Sequence, residues 1–112
     1  MSFERIHTSL AVARPADVTF DRRELSLILN VYGHMVAAGK WRDYAIDHHR
    51  DRAIFSIFRG ATENPLYRVE KKRDGRHAAY SVVGMDGRVL QRGRELRQVL
   101  RVLERLIIRL VD

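Results

Sequence analysis

The sequence predicts an α+β fold, an antiparallel β-meander of four to five strands flanked by an N-terminal and a C-terminal amphipathic helix. Three observations predict it. Apolar residues recur at i, i+3, i+4 and i+7 between Leu25 and Val36, and the same spacing returns between Leu96 and Leu110. Between those two stretches the period falls to two, and Asp74-Gly75 and Asp86-Gly87 punctuate the alternation as hairpin turns do.

Taken in order, residues 1–16 lack periodicity and contain Pro15, so they read as a mobile arm ahead of one domain spanning 17–112. Val18, Thr19 and Phe20 form a short extended lead-in. Asp21, followed three residues later by Glu24, is a capping pair: the Asp carboxylate accepts from free amides, and both negative charges face the positive helix end. At about 100° per residue, Leu25, Ile28, Leu29, Tyr32, Met35 and Val36 collect on one face, and Gly39 supplies the C-terminal stop.

After Trp41, Tyr44, Ile46 and His48 share one face of a first strand. The next strand follows through His48-His49-Arg50-Asp51. There Ala53, Phe55 and Ile57 alternate with Ile54, Ser56 and Phe58, and apolar residues on both faces place this strand centrally. Gly60 to Pro65 interrupts the pattern. Leu66 to Lys71 then sets Tyr67 and Val69 against Arg68 and Glu70, and the two Asp-Gly turns introduce strands near 77–83 and 88–91. Gly93 ends the sheet. In the last helix Leu96, Val99, Leu100, Leu103, Leu106, Ile107 and Leu110 build the apolar face. Both helices on one side of the sheet would share a core and leave the other side partly open, as a binding or dimer surface.

At 112 residues the chain can bury one core without metal or disulfide staples, and a second domain would not fit. It has no cysteine, which excludes a disulfide framework, a thiol nucleophile and a Cys-ligated zinc or iron–sulfur site, and fits a reducing cytoplasm. The apolar run Leu10–Ala13 is too short for a signal peptide, and no stretch approaches the roughly 20 apolar residues of a membrane span. A cytoplasmic chain with no membrane partner is expected. Gly-rich phosphate loops, H-E-x-x-H pairs and G-x-S-x-G elbows are all missing, so the sequence calls for no cofactor and no metal.

The formal charge of +7 is unevenly placed, with +6 of it in residues 51–112. Arg97, Arg101, Arg105 and Arg109 recur every fourth residue of the last helix, with Arg94 on the same side, opposite the leucine face. Their three like-charge i, i+4 pairs cost about 1 kcal/mol together in an isolated helix, and Glu95 and Glu104 lie only at the edges of the stripe. Such a stripe either pairs bidentately with phosphates of a nucleic acid or with an acidic protein surface, or is simply a solvated helix face. The first pair of roles makes the chain a non-enzymatic binding or adaptor module.

A second possibility belongs to another class. Leu27 and Val31, with Ala38 and His34, form a second stripe on the first helix, and Ile108 projects into the arginine face. These residues are either sandwiched inside the fold or presented to another copy, which would make the chain a structural or regulatory homodimer. A third reading is an enzyme using Asp43, Asp47 and His48. It is weakened because strand alternation turns both carboxylates away from His48, while adjacent His48 and His49 point to opposite sides. Phe55, Phe58, Tyr67 and Tyr80 invite comparison with base-stacking sheets, but consecutive strands do not match the βαββαβ order of an RNA-recognition module.

Several runs are specific enough to carry a resemblance. They are Val18 to Leu25, Tyr32-Gly33 with Met35 to Gly39, Trp41 to His48, Pro65 to Lys71, and Gly87 to Leu90 leading on through Arg101-Val102-Leu103. Over about residues 18–104 the sequence resembles the small alphaproteobacterial proteins grouped as domain-of-unknown-function family 2794. The resemblance implies a single domain in a bacterial cytoplasm and brings no activity with it. The arm before Val18 and the tail Ile107–Asp112 depart from the shared pattern.

Overall fold

A computed structural model describes residues 16–60 and 64–111, with the backbone alone from residue 107 onward. All but Ala16 of the arm expected at 1–16 lies outside the described residues. Helix α1 spans Arg22–Ala37. Strands β1 (Asp43–His48), β2 (Arg52–Phe58), β3 (Tyr67–Asp74), β4 (His77–Gly84) and β5 (Val89–Gly93) follow, and helix α2 (Leu96–Val111) closes the order. The strands pair antiparallel in sequence order, which makes the five-stranded meander that the alternation and the Asp-Gly turns predict.

Local chemistry sets the boundaries. The Asp21 carboxylate accepts from the Glu24 amide at 2.8 Å, and the Glu24 carboxylate accepts from the Asp21 amide at 2.7 Å, so a reciprocal capping box starts α1. The helix ends where Gly39 takes φ +75°, the left-handed region, and its amide donates to the Val36 carbonyl at 2.9 Å. Gly87 (φ +85°) serves the β4–β5 turn in the same way, donating to the Gly84 carbonyl at 3.0 Å. The last strand pair carries a register shift at Val82/Val83.

Both helices lie on one face of the sheet. Phe55 is fully buried there, stacked on Tyr44 with ring centroids 4.8 Å apart and edge-on to Tyr32 of α1 at 6.1 Å. Val69 and Val82 continue the floor under Leu96, Val99, Leu100 and Leu103 of α2. Each such fully buried side chain contributes roughly 1.5–3 kcal/mol. At Gly93, a Cβ would stand 3.2 Å from Val99 Cγ2, so the missing side chain lets the helix settle onto β5. The aromatic residues of β2–β4 thus pack the core, apart from Phe58 on the opposite face.

The buried stripe of α1 is rotated from the one that hydropathy spacing suggests. Ile28, Val31 and Met35 are buried, Leu27 packs against them, and Leu29 and Val36 are 39% and 41% exposed. Val31 and Leu27 therefore meet the chain's own core, which removes Val31 from any surface stripe. Of the expected self-association residues, His34 is exposed, and the Ile108 side chain lies outside the described residues.

Candidate anion-binding surface

Helix α2 presents its arginines as the sequence predicts. Burying Leu96, Val99, Leu100 and Leu103 turns Arg97, Arg101 and Arg105 outward, and all three are exposed. Among the described residues none of the three has a carboxylate within 4.0 Å, in contrast to Arg23, Arg52, Arg68, Arg88 and Arg94. Arg94 is already engaged. Its Nη2 donates to Asp74 Oδ2 at 2.9 Å, which ties the start of α2 to the β3–β4 hairpin. The Arg109 side chain lies outside the described residues.

That hairpin adds cations that stand outside the arginine stripe. Gly75, at φ +63°, makes a tight turn, and Lys72, Arg73, Arg76 and His77 stand exposed around it. A cleft of about 360 Å³ opens beside the turn, lined by Asp17, Thr19, Lys71, Arg73, Arg76 and His77. Arg73 donates to the Ala16 carbonyl at 3.5 Å, and Lys71 is held inward. Among the described residues Lys72 and Arg76 have no carboxylate within 4.0 Å. The sequence signal for this patch was available as Lys71-Lys72-Arg73 and Arg76-His77, but only the antiparallel register brings the two runs side by side.

Beneath the cleft sits a buried polar group that sequence reading took for a helix cap alone. Glu24 is 3% exposed. Its carboxylate accepts from Lys71 Nζ at 2.8 Å and from the Tyr80 hydroxyl, while Lys71 also donates to the Thr19 carbonyl at 2.8 Å. Burial and the bond to Glu24 push the Tyr80 phenol well above its ordinary value. With its charge matched by Lys71 and three hydrogen bonds accepted by the Glu24 carboxylate, this cluster anchors α1 to β3 and β4.

The residues of the enzymatic reading are kept apart. Asp43 and Asp47 share one face of β1 and His48 occupies the other, paired with Ala53 at the far end of the strand from Asp43. Asp43 Oδ1 and His48 Nδ1 are each buried without a hydrogen bond. Among the described residues no cluster of three or more His, Asp or Glu could hold a metal ion, and no helix is long and apolar enough to cross a membrane.

The model of the family described as "Protein of unknown function (DUF2794)" matches residues 18–100. The chain belongs to this family. The match takes in α1, all five strands and the first turn of α2, so Arg94 and Arg97 fall inside it and Arg101 and Arg105 beyond it. No curated protein and no solved structure gave a match.

Proposed function

We propose that this family member is a non-enzymatic binding module that holds a polyanionic partner against the exposed arginines of α2. The observation that carries the reading is the lack, among the described residues, of a carboxylate partner for Arg97, Arg101 and Arg105, on a helix whose opposite side is buried. Guanidinium groups left to solvent in one row offer bidentate pairing to successive phosphates, and releasing condensed counterions supplies the affinity. The exposed cations of the β3–β4 hairpin extend the same sign of charge from Arg94 across Asp74. Net charge of +7 adds long-range attraction for such a partner.

The test is fluorescence anisotropy with labelled single- and double-stranded DNA and RNA across a salt series, comparing the native chain with an Arg97→Glu, Arg101→Glu, Arg105→Glu variant of confirmed fold. Log affinity is expected to fall linearly with log salt. Replacing three phosphate contacts should lower that slope by about 2–3. Absence of binding at low salt would return the row to a solvated helix face, and the acidic protein surface would become the next partner to try.

A further inference from the structure

Where α1 stops, a cavity of about 200 Å³ opens between the two helices and the end of the sheet. Local geometry assembles it. Gly39 turns the chain back at φ +75°, and the amides of Lys40 and Trp41 both donate to the Met35 carbonyl, at 2.9 and 3.4 Å, which folds these two residues under the end of the helix. The Arg42 amide donates to the Phe58 carbonyl at 2.9 Å, so Arg59 follows beside them, and the pairing of Ile57 with Tyr67 brings the start of β3 to the same place. Arg59 stands two residues after the buried Ile57, on the helix-covered side of the sheet. Met35, Trp41, Leu66, Tyr67 and Leu106 form the walls, with the Trp41 and Tyr67 rings 6.1 Å apart and tilted by 53°. Lys40 and Arg59 complete the lining, and among the described residues neither has a carboxylate within 4.0 Å.

We propose that this cavity is a binding site for a small aromatic carboxylate, a single ring bearing one acidic group. Size sets the first limit. The volume exceeds the roughly 150 Å³ that accommodates benzene in an apolar protein interior and falls short of the roughly 300 Å³ at which pockets for drug-sized molecules begin. One ring with a short acidic arm fits between these limits. Protein interiors otherwise pack to the density of organic crystals, so a space of this size walled by aromatic and aliphatic side chains lacks the contacts that such an occupant would supply.

The walls choose the body of the ligand and the cations choose its charge. Trp41 and Tyr67 offer faces and edges to a third ring, and the Met35 side chain brings a polarisable sulfur to the same space. The Arg59 guanidinium can pair a carboxylate bidentately, with the Lys40 ammonium as a second point of charge. Burial raises the Tyr67 phenol above its ordinary value, so it keeps its proton and can donate to the same acidic group. An anion without an apolar body would leave the walls unfilled, and a neutral ring would leave both cations unmatched. The site does not depend on the arginine row of α2, which faces solvent on the other side of that helix.

Trp41 is the sole tryptophan of the chain, so its emission reports on this cavity. Titrating the full chain with phenylacetate at constant ionic strength should change that emission saturably, with half-saturation at about 1 mM or below. Acetate, which lacks the ring, and phenylacetamide, which lacks the charge, should each bind about tenfold more weakly or worse. In ¹⁵N-enriched chain, phenylacetate should shift the amides of Lys40, Trp41, Arg59 and Tyr67 and leave those of Arg97 and Arg101 in place. Lys40→Gln combined with Arg59→Gln should weaken phenylacetate about tenfold while keeping the native urea midpoint. Should the pair lower that midpoint, Arg59→Gln alone, at the exposed cation, carries the same comparison. No saturation with phenylacetate, an equal response to acetate or phenylacetamide, or undiminished affinity in the variants overturns the proposal. Shifts gathered at Arg97 and Arg101 overturn it as well and assign the anion to α2. Each of these results stands whatever nucleic acids do at the arginine row.

Discussion

Glu24 opens α1, and Arg97, Arg101 and Arg105 line α2; both sets are charged helix positions, but the fold absorbs one and leaves the others over. Glu24 is desolvated and held by Asp21, Lys71 and Tyr80, partners that reach across to β3 and β4. The three arginines carry as much charge per turn, with no carboxylate near them among the described residues. Charge drawn inside is committed to holding α1 on the sheet. Charge left outside does nothing for the fold and is free to serve a partner, which is why the functional reading rests on α2 and not on the better organised polar cluster.

The sharpest way to break the comparison is to delete both kinds of charge and measure unfolding. Glu24→Ala removes the acceptor of a mostly buried Lys71 and of Tyr80, and should cost about 3 kcal/mol, because a desolvated cation is left unpaired. Arg97→Ala, on the exposed row, should stay within about 0.5 kcal/mol of the native chain. Urea titration of both variants gives the two numbers. Equal small effects would mean that the Glu24 cluster is as dispensable as the surface.

The asymmetry also explains what could be read from the sequence. The start and stop of α1 and the turn at Gly87 were legible because their determinants are local: Asp21 with Glu24, Gly39, and an Asp-Gly pair. The phase of α1 was not. Leu29 and Val36 are as apolar as Leu27 and Val31, so hydropathy alone cannot choose between the stripes. The choice is made by Glu24, whose seat beside Lys71 and Tyr80 brings Ile28, Val31 and Met35, four, seven and eleven residues on, to the core. Those partners lie 47 and 56 residues away, and register alone pairs Lys71 with Tyr80. The arginine row needed no such information, since a stripe facing solvent depends only on the helical repeat.

A smaller contrast should appear at alkaline pH. Burial, then the charge of Asp43 and the neighbouring Tyr44, push the Tyr32 phenol up to about 12 from its ordinary value of 10.0. Between those values the folded chain keeps a proton that the unfolded chain has lost. The unfolded state then binds fewer protons, so this contribution is complete below pH 10 and stability falls as pH rises from 10 towards 12. Tyr80 shifts in the same direction and adds to the slope. Tyr32→Phe should flatten the dependence of the thermal midpoint across that window, whereas Arg101→Gln should leave its slope unchanged, because guanidinium does not titrate there.

The smallest effect is the one that most directly separates stability from use. Arg101 stands between Arg97 and Arg105 at i−4 and i+4, so Arg101→Gln relieves two like-charge pairs while keeping a good helix former in place. It should stabilise the chain by roughly 0.5 kcal/mol at low salt. The gain should shrink towards zero near 1 M salt, where screening acts over about 3 Å. A row selected only as a solvated helix face would have no reason to retain that repulsion. If Arg101→Gln raises the low-salt unfolding midpoint while weakening anion binding, the row gives up stability for contact with a partner. If the midpoint does not move, the three charges are already screened by solvent and ions, and binding alone must decide what they are for.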